Sequence, residues 1–529
     1  MTLTVTIPSH TTSSFPKPHI LYVLHLSQDG KKTVLNKRYS DFVELNNALG
    51  SHEIDFPPKR ILVTTFVPSA WMDDALVRER KAGLAKYLSN IIAKPQYRNH
   101  SALLDFLKPS SDDKERFNLE DALPSTLSRK TAQDVEAQAT PIAAAYYPDW
   151  SAGSNPPENI NFSKFDIIFF AFAMPNQNSG LDWGGQDILR RLVSSARNSG
   201  RGTRIVLSVG GWGGSQWFSQ ATQDQNRQTF VNAMVNAVQT YNLDGLDIDW
   251  EYPNSTGAGN PHSPSDAANL LSLFRDLRNA LGSSKIISAA VPHLPWIGQN
   301  GQPLSNISAY AEQMTYINIM NYDVWGASST PGPNAPLSNG CGTSTQPQAS
   351  AQAALSQWTA AGAPASKLLL GLPLYGYVSQ STKTTLSGSL TANKEMSLIQ
   401  ETDSNGYFLN GAHPRDKDAP VRAAADLRGW YGSQIPFNQL VASGAIVKQA
   451  DGNYGEAGGF TMGWDNCSDT PYLFNTAQET VVTYDDTWSI GSKASFAKDN
   501  GMAGCFTWSL DQDDGLTLQN VIRNKLGKA

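Results

Sequence analysis

The chain has 529 residues, 40% of them apolar and 17% charged, and a net charge of −6; this exceeds one ordinary compact domain and argues against disorder. No run approaches the ~18–20 apolar residues of a membrane-spanning helix, and the opening MTLTVTIPSHTTSSFPKPHI lacks the charged and apolar regions of a secretory leader, so cytosolic synthesis is expected. The charge is uneven, with 14 Lys+Arg against 9 Asp+Glu in residues 1–110 and 27 against 38 in the rest, so the basic front is expected to seek anions.

In chain order, residues 18–26 (PHILYVLHL) and 31–42 (KKTVLNKRYSDF) read as strands flanking an Asp29-Gly30 turn. Helical spacing follows at 41–49 and 74–92, where Leu84, Leu88, Ile91 and Ile92 share one stripe. The front is therefore an α+β unit, and the polar stretch 109–139 after it reads as a linker. Eight apolar strands come next, at 142–147, 165–173, 204–209, 243–250, 286–291, 314–321, 367–374 and 503–509. Near-continuous apolar runs suit parallel strands buried on both faces, and eight of them with helical spacers predict a closed (β/α)₈ barrel. The gap before the last strand is too long for one helix. A small α+β insertion is therefore expected at about 378–478, with strands at 459–463 and 481–485. The expected division is 1–110, a linker at 111–139, and a barrel at 140–529.

Cys341, Cys467 and Cys505 are few, odd in number and widely spaced, so unpaired thiols are expected. His262, His293 and His413 share no metal-ligand spacing, and neither a metal nor another cofactor is expected. The informative segment is Asp244-Gly-Leu-Asp247-Ile-Asp249-Trp-Glu251-Tyr-Pro253. Strand alternation sends Asp247, Asp249 and Glu251 to one side and Leu246, Ile248 and Trp250 to the other. Three carboxyls on one face, ~6–7 Å apart, are costly unless one is protonated or all are hydrogen-bonded. That cost suits Glu251, nearest the catalytic mouth of a barrel, to general acid work near neutral pH. Asp244 is out of phase with the other acids and suits a structural role at the strand entrance.

With these residues in view, residues 142–526 resemble the family 18 glycoside hydrolases, fungal-type endochitinases above all. Their D-x-x-D-x-D-x-E pattern is complete as Asp244, Asp247, Asp249 and Glu251. Ser208-Val-Gly210-Gly211-Trp212 matches a second element, Met320-Asn-Tyr322-Asp323 a third and Trp508 a fourth, all in the family's order. The resemblance implies chitin or chitooligosaccharide hydrolysis with retention, in which the substrate's own acetamido group attacks the anomeric carbon. Glu251 is then the acid, Asp249 orients the acetamido nitrogen with Asp247 behind it, and Tyr322 donates to the acetamido oxygen. Asp323 and Trp508 hold the cleaved sugar, with Met320, Trp212 and Gly211 beside them. Two alternatives stay open: an endo-β-N-acetylglucosaminidase acting on N-glycan cores, and a non-catalytic chitin-binding protein of lectin type.

The front unit, residues 18–108, resembles the phox-homology (PX) domains through Lys37-Arg38-Tyr39-Ser40-Asp41-Phe42, Pro57-Pro58-Lys59 and Arg80. This implies binding of phosphatidylinositol 3-phosphate. Arg38 would take the 3-phosphate, Tyr39 stack on the inositol ring, Lys59 hold the bridging phosphate and Arg80 the ring hydroxyls. A cytoplasmic protein peripheral to endosomal or vacuolar membranes follows as an expectation. It is read as a monomer with no nucleic-acid partner.

Overall fold

The computed structural model describes residues 3–13, 19–28, 31–50, 56, 74–98, 100–108, 141–389 and 424–528. The chain divides into two compact units, Met1–Ala139 and Thr140–Ala529. The stretch read as a linker lies outside the described residues.

In the first unit, β1 (Leu3–Ser13), β2 (His19–Gln28) and β3 (Lys31–Lys37) form an antiparallel sheet in that order. Tyr22, Leu24 and Leu26 alternate inward from β2 and are buried. They meet α1 (Tyr39–Leu49) and α2 (Asp74–Ala93), whose Leu84, Leu88, Ile91 and Ile92 are buried as the spacing predicts. Each such aliphatic side chain contributes roughly 1.5–3 kcal/mol by leaving water. The expected strand at 31–42 is corrected at its end. It stops at Lys37, because Asp41 accepts the Arg38 backbone N–H at 2.8 Å and starts a helix there. The strand β1 went unread, its alternation diluted by Ser and Thr.

The second unit is the expected barrel. Its strands are β4 (Ile142–Pro148), β5 (Ile167–Pro175), β6 (Arg204–Gly210), β7 (Gly245–Asp249), β8 (Ile286–Val291), β9 (Tyr316–Ile319), β10 (Leu368–Pro373) and β11 (Gly504–Trp508). Each pairs in parallel with the next, and β11 returns to β4 to close the ring. Closure needs a glycine: a Cβ on Gly504, at φ +139, would stand 2.1 Å from the Ile142 carbonyl oxygen. Ile142, Tyr146, Ile167, Phe169, Val206, Tyr316 and Phe506 fill the interior. The alternate residues, among them Leu246, Ile248 and Trp250, pack outward under the helices, with Trp250 stacked on Phe218 at 5.1 Å.

Between β10 and β11, strands Tyr375–Gln380, Gln434–Pro436, Thr461–Asp465, Thr470–Asn475 and Thr480–Thr483 build an antiparallel sheet. Residues 390–423 of this insertion, His413 included, lie outside the described residues. The expectation of unpaired thiols is overturned: Cys341 and Cys467 form a disulfide across 126 residues, with Cα atoms 5.0 Å apart. Spacing hid the pair because the insertion folds back beside the loop after β9 only in three dimensions. Cys505 stays free and buried in β11, where desolvation holds its thiol well above the ordinary range. No helix among the described residues is long and apolar enough to cross a membrane.

Candidate active site

The barrel strands deliver their last residues to a groove of about 1060 Å³, lined by Tyr146, Gly210, Asp249, Glu251, Tyr322 and Trp508 among others. Its floor is the acidic strand β7. Asp247 is fully buried and accepts four hydrogen bonds: Tyr146 Oη at 2.8 Å and Ser208 Oγ at 2.7 Å on Oδ2, Ser288 Oγ at 2.7 Å and Asn318 Nδ2 at 3.2 Å on Oδ1. Burial raises its pKa, and the Ser288, Ser208 and Tyr146 hydroxyls oppose the rise. Asp249 is also buried, yet its Oδ1 has no hydrogen-bond partner. Desolvation first, then the neighbouring Glu251 and Asp247 charges, holds its carboxyl well above the usual range.

Glu251 follows just beyond the end of β7, with its backbone fixed from a neighbouring loop. Buried Ser215 Oγ accepts the Glu251 N–H at 3.0 Å and donates to the Gly211 carbonyl at 2.9 Å. Burial pushes the Glu251 carboxyl up to about 7, assisted by the Asp323 charge and opposed by hydrogen bonds with Tyr252 and Asp249. Half of such groups carry a proton at neutral pH, as a general acid requires. Tyr322, in the inner cluster, is held well above the phenol range by desolvation and the surrounding carboxyls, and so keeps its proton. Gly210, at φ +117, is dictated by crowding, since a Cβ there would meet the Asp249 carbonyl oxygen at 2.2 Å.

Around the acids stand aromatic side chains. Trp508 stacks on Phe172 at 5.7 Å and meets Tyr146 edge-on at 5.5 Å. Trp150 and Trp212 line the same groove with 65% and 56% of their surface exposed, leaving flat apolar faces open toward solvent. Met320 and Gly211 line it too. Asp323 adopts φ +57, and its Oδ1 accepts from Tyr375 and Tyr377, each at 2.6 Å.

The barrel residues read from the sequence as catalytic or sugar-binding thus converge here, whereas Asp244 does not. That residue sits at the strand entrance, accepting from the Ile205 N–H and Arg197, both at 2.7 Å. Sequence reasoning missed Ser215, Ser288, Asn318, Trp150, Tyr375 and Tyr377. Ser288 and Asn318 had one available signal: each is a polar residue at an inward phase of an otherwise apolar strand.

This arrangement agrees with the comparisons. Residues 142–513 match the model of glycosyl hydrolases family 18. The chain belongs to that family. Chitinase-like effectors of Moniliophthora perniciosa and Moniliophthora roreri are 32% and 33% identical to it, over 73% and 77% of this chain and 87% and 97% of theirs. The crystal structure of a Rhizomucor miehei chitinase is similar, with a TM-score of 0.58 at 34% identity, covering 73% of this chain and 99% of that one. The family 18 barrel follows a unit whose residues 25–110 match the PX domain model.

In that PX unit the anticipated lipid ligands are only partly described. Arg38 stands between β3 and α1, and Arg80 falls within α2, whereas Lys59 lies outside the described residues. Tyr39 is 8% exposed, with its ring 5.7 Å from Phe56.

Proposed function

We propose that the protein is a chitinase that hydrolyses β-1,4-linked N-acetylglucosamine chains with retention, through the substrate's own acetamido group. The observation that carries this is Glu251, poised near pH 7 beside a buried Asp249 oxygen that lacks a partner. In this reading the Glu251 proton passes to the glycosidic oxygen as the C1–O bond breaks, and the acetamido carbonyl oxygen closes on C1 to give an oxazolinium ion. Asp249 accepts the acetamido N–H with its unused Oδ1, and Tyr322 donates to the acetamido oxygen. Glu251, now a carboxylate, takes a proton from the water that opens the ring at C1. Asp247, anchored by four donors, keeps a second negative charge behind Asp249 and so favours the proton on it. No carboxylate nucleophile is needed, which makes this one of the exceptions to the two-carboxylate scheme. Trp508 floors the cleaved sugar, Asp323 and Met320 border it, and Trp212 with Gly211 extends the platform.

The front unit is read as binding phosphatidylinositol 3-phosphate through Arg38, Lys59 and Arg80, peripheral to a membrane. The disulfide Cys341–Cys467 argues for oxidising surroundings around the barrel and against a wholly cytoplasmic life.

The test is hydrolysis of chitin oligosaccharides by the purified full chain, beside an N-glycopeptide. Cleavage of the oligosaccharides, lost in Glu251→Gln with binding retained, supports the reading; general acid catalysis is typically worth about 10²–10⁴ in rate. Glycopeptide cleavage alone turns it toward the N-glycan endoglycosidase, and binding with no cleavage by wild type toward a lectin. Turnover of fully deacetylated chains would overturn the acetamido mechanism.

A further inference from the structure

Glu251 lies where the barrel stops supplying support. Pairing of β7 with β6 ends at Asp249 and with β8 at Ile248, so this residue stands beyond both ladders. Two neutral side chains take over. Ser215, fully buried in the loop after β6, accepts the Glu251 N–H through an Oγ that also reaches the Gly211 and Asp249 carbonyls at 2.9 and 3.2 Å. Asn260, 9% exposed in the loop after β7, donates its Nδ2 to the Glu251 carbonyl at 3.2 Å.

The loop that carries Asn260 is itself firmly held. At its far end Asp266 is fully buried, with Oδ2 accepting the Asn254 and Ser263 N–H groups at 3.1 and 2.8 Å and Oδ1 accepting Ser219 Oγ at 2.7 Å. Ser219 belongs to the short helix Phe218–Ala221 that follows Ser215, so Asp266 ties the two supporting loops to each other. Gly257, at φ +44, packs so closely that a Cβ there would stand 2.1 Å from the Glu251 carbonyl oxygen. Water at the groove could satisfy a main-chain N–H and C=O equally well. Side-chain partners on two joined loops satisfy them and fix their place.

We propose that Ser215 and Asn260 are positioning residues for the acid, gripping Glu251 by both of its main-chain polar groups so that the carboxyl keeps one place on the groove floor. This rests on the hydrolase reading for its effect on rate. The titratable groups acting on that carboxyl are Asp249, Tyr252 and Asp323, and it acts in turn on Tyr322. Ser215 and Asn260 carry no charge, so replacing them leaves this set intact and alters only where the carboxyl sits. A carboxyl that slips toward water loses its proton at lower pH.

The test uses the full chain carrying Ser215→Ala or Asn260→Ala, with Asn254→Gly as control. That control removes a 2.8 Å bond from the same loop to the Gly298 carbonyl and suits φ +54, without touching Glu251. On chitin oligosaccharides kcat should fall roughly ten- to hundredfold in both alanine variants, with KM within about twofold, as for a reacting group displaced by ~1 Å. Their alkaline limb should move to lower pH, and that of Asn254→Gly should stay. A second arm needs no hydrolysis. The gain in Tm from Glu251→Gln at pH 8 over pH 4, about 4 °C in the wild-type background, should drop below about half of that in either alanine background. If Ser215→Ala does not fold, Ser215→Cys keeps the shape with a weaker acceptor. A limb or a thermal gain equal to that of wild type overturns the proposal, as does an Asn254→Gly variant that reproduces both effects. Absence of hydrolysis by wild type would count against the hydrolase alone and leave the thermal arm to decide the positioning.

Discussion

Replacing Glu251 by Gln should make the protein more stable in mild alkali while removing its activity. The groove holds this carboxyl near 7, against about 4.5 for an ordinary glutamate, because burial disfavours its charge. The folded state therefore binds the proton more tightly than the unfolded chain. Below pH 4.5 both forms are protonated and the site is neutral to stability. As pH rises from 4.5 to 7, the unfolded chain releases its proton and the folded one resists, so stability is lost progressively. Above 7 the full penalty stands, about 3 kcal/mol at ~1.4 kcal/mol per pH unit. Glutamine keeps the shape and never ionises, so it escapes that penalty. The barrel unit, Thr140–Ala529, spans 390 residues, and at ~2.1 cal/mol/K per residue its unfolding entropy converts 3 kcal/mol into a rise of about 4 °C in Tm. Thermal unfolding of wild type and Glu251→Gln at pH 4 and pH 8 measures this. The variant should match wild type at pH 4 and exceed it at pH 8. Equal differences at both pH values, or a variant less stable at pH 8, would refute the claim that burial tunes this acid.

The same proton sets the rate: kcat/KM on chitin oligosaccharides should fall about tenfold per pH unit above 7, and Asp323→Asn should move that limb to lower pH, since the Asp323 charge helps to raise Glu251. An unmoved limb would exclude the coupling. Lys493 and Asp485 form an ion pair with both side chains fully buried, so Lys493→Met should destabilise the barrel by about 3–5 kcal/mol in a urea titration. Adding Asp485→Leu should recover most of that loss, because the cost lies in the stranded carboxylate. In the front unit, Arg38→Ala should weaken sedimentation with phosphatidylinositol 3-phosphate vesicles roughly ten- to hundredfold, the worth of one charge-assisted contact. Equal binding by both proteins would show that the lipid is not read through Arg38.

Much of this protein was legible before folding was considered. Eight apolar strands at helical separation announce a barrel because strands covered on both faces have no polar phase, and the three-acid phase of β7 stands out against that background. The inward set, Asp247, Asp249 and Glu251, follows from a period of two and needs no tertiary knowledge. Asp244 could be set apart from the others on the same ground. What tertiary structure alone decided is everything that depends on distant segments meeting. Asp247 is a tolerable buried charge only because Tyr146, Ser208, Ser288 and Asn318 reach it from four other strands. The Cys341–Cys467 bridge, and the hold of Tyr375, Tyr377 and Gln434 on Asp323, join residues far apart in the chain. Periodicity reports which face a residue takes on its own element. It carries no information about which other element arrives opposite, because that is set by closure of the barrel and the return path of the insertion.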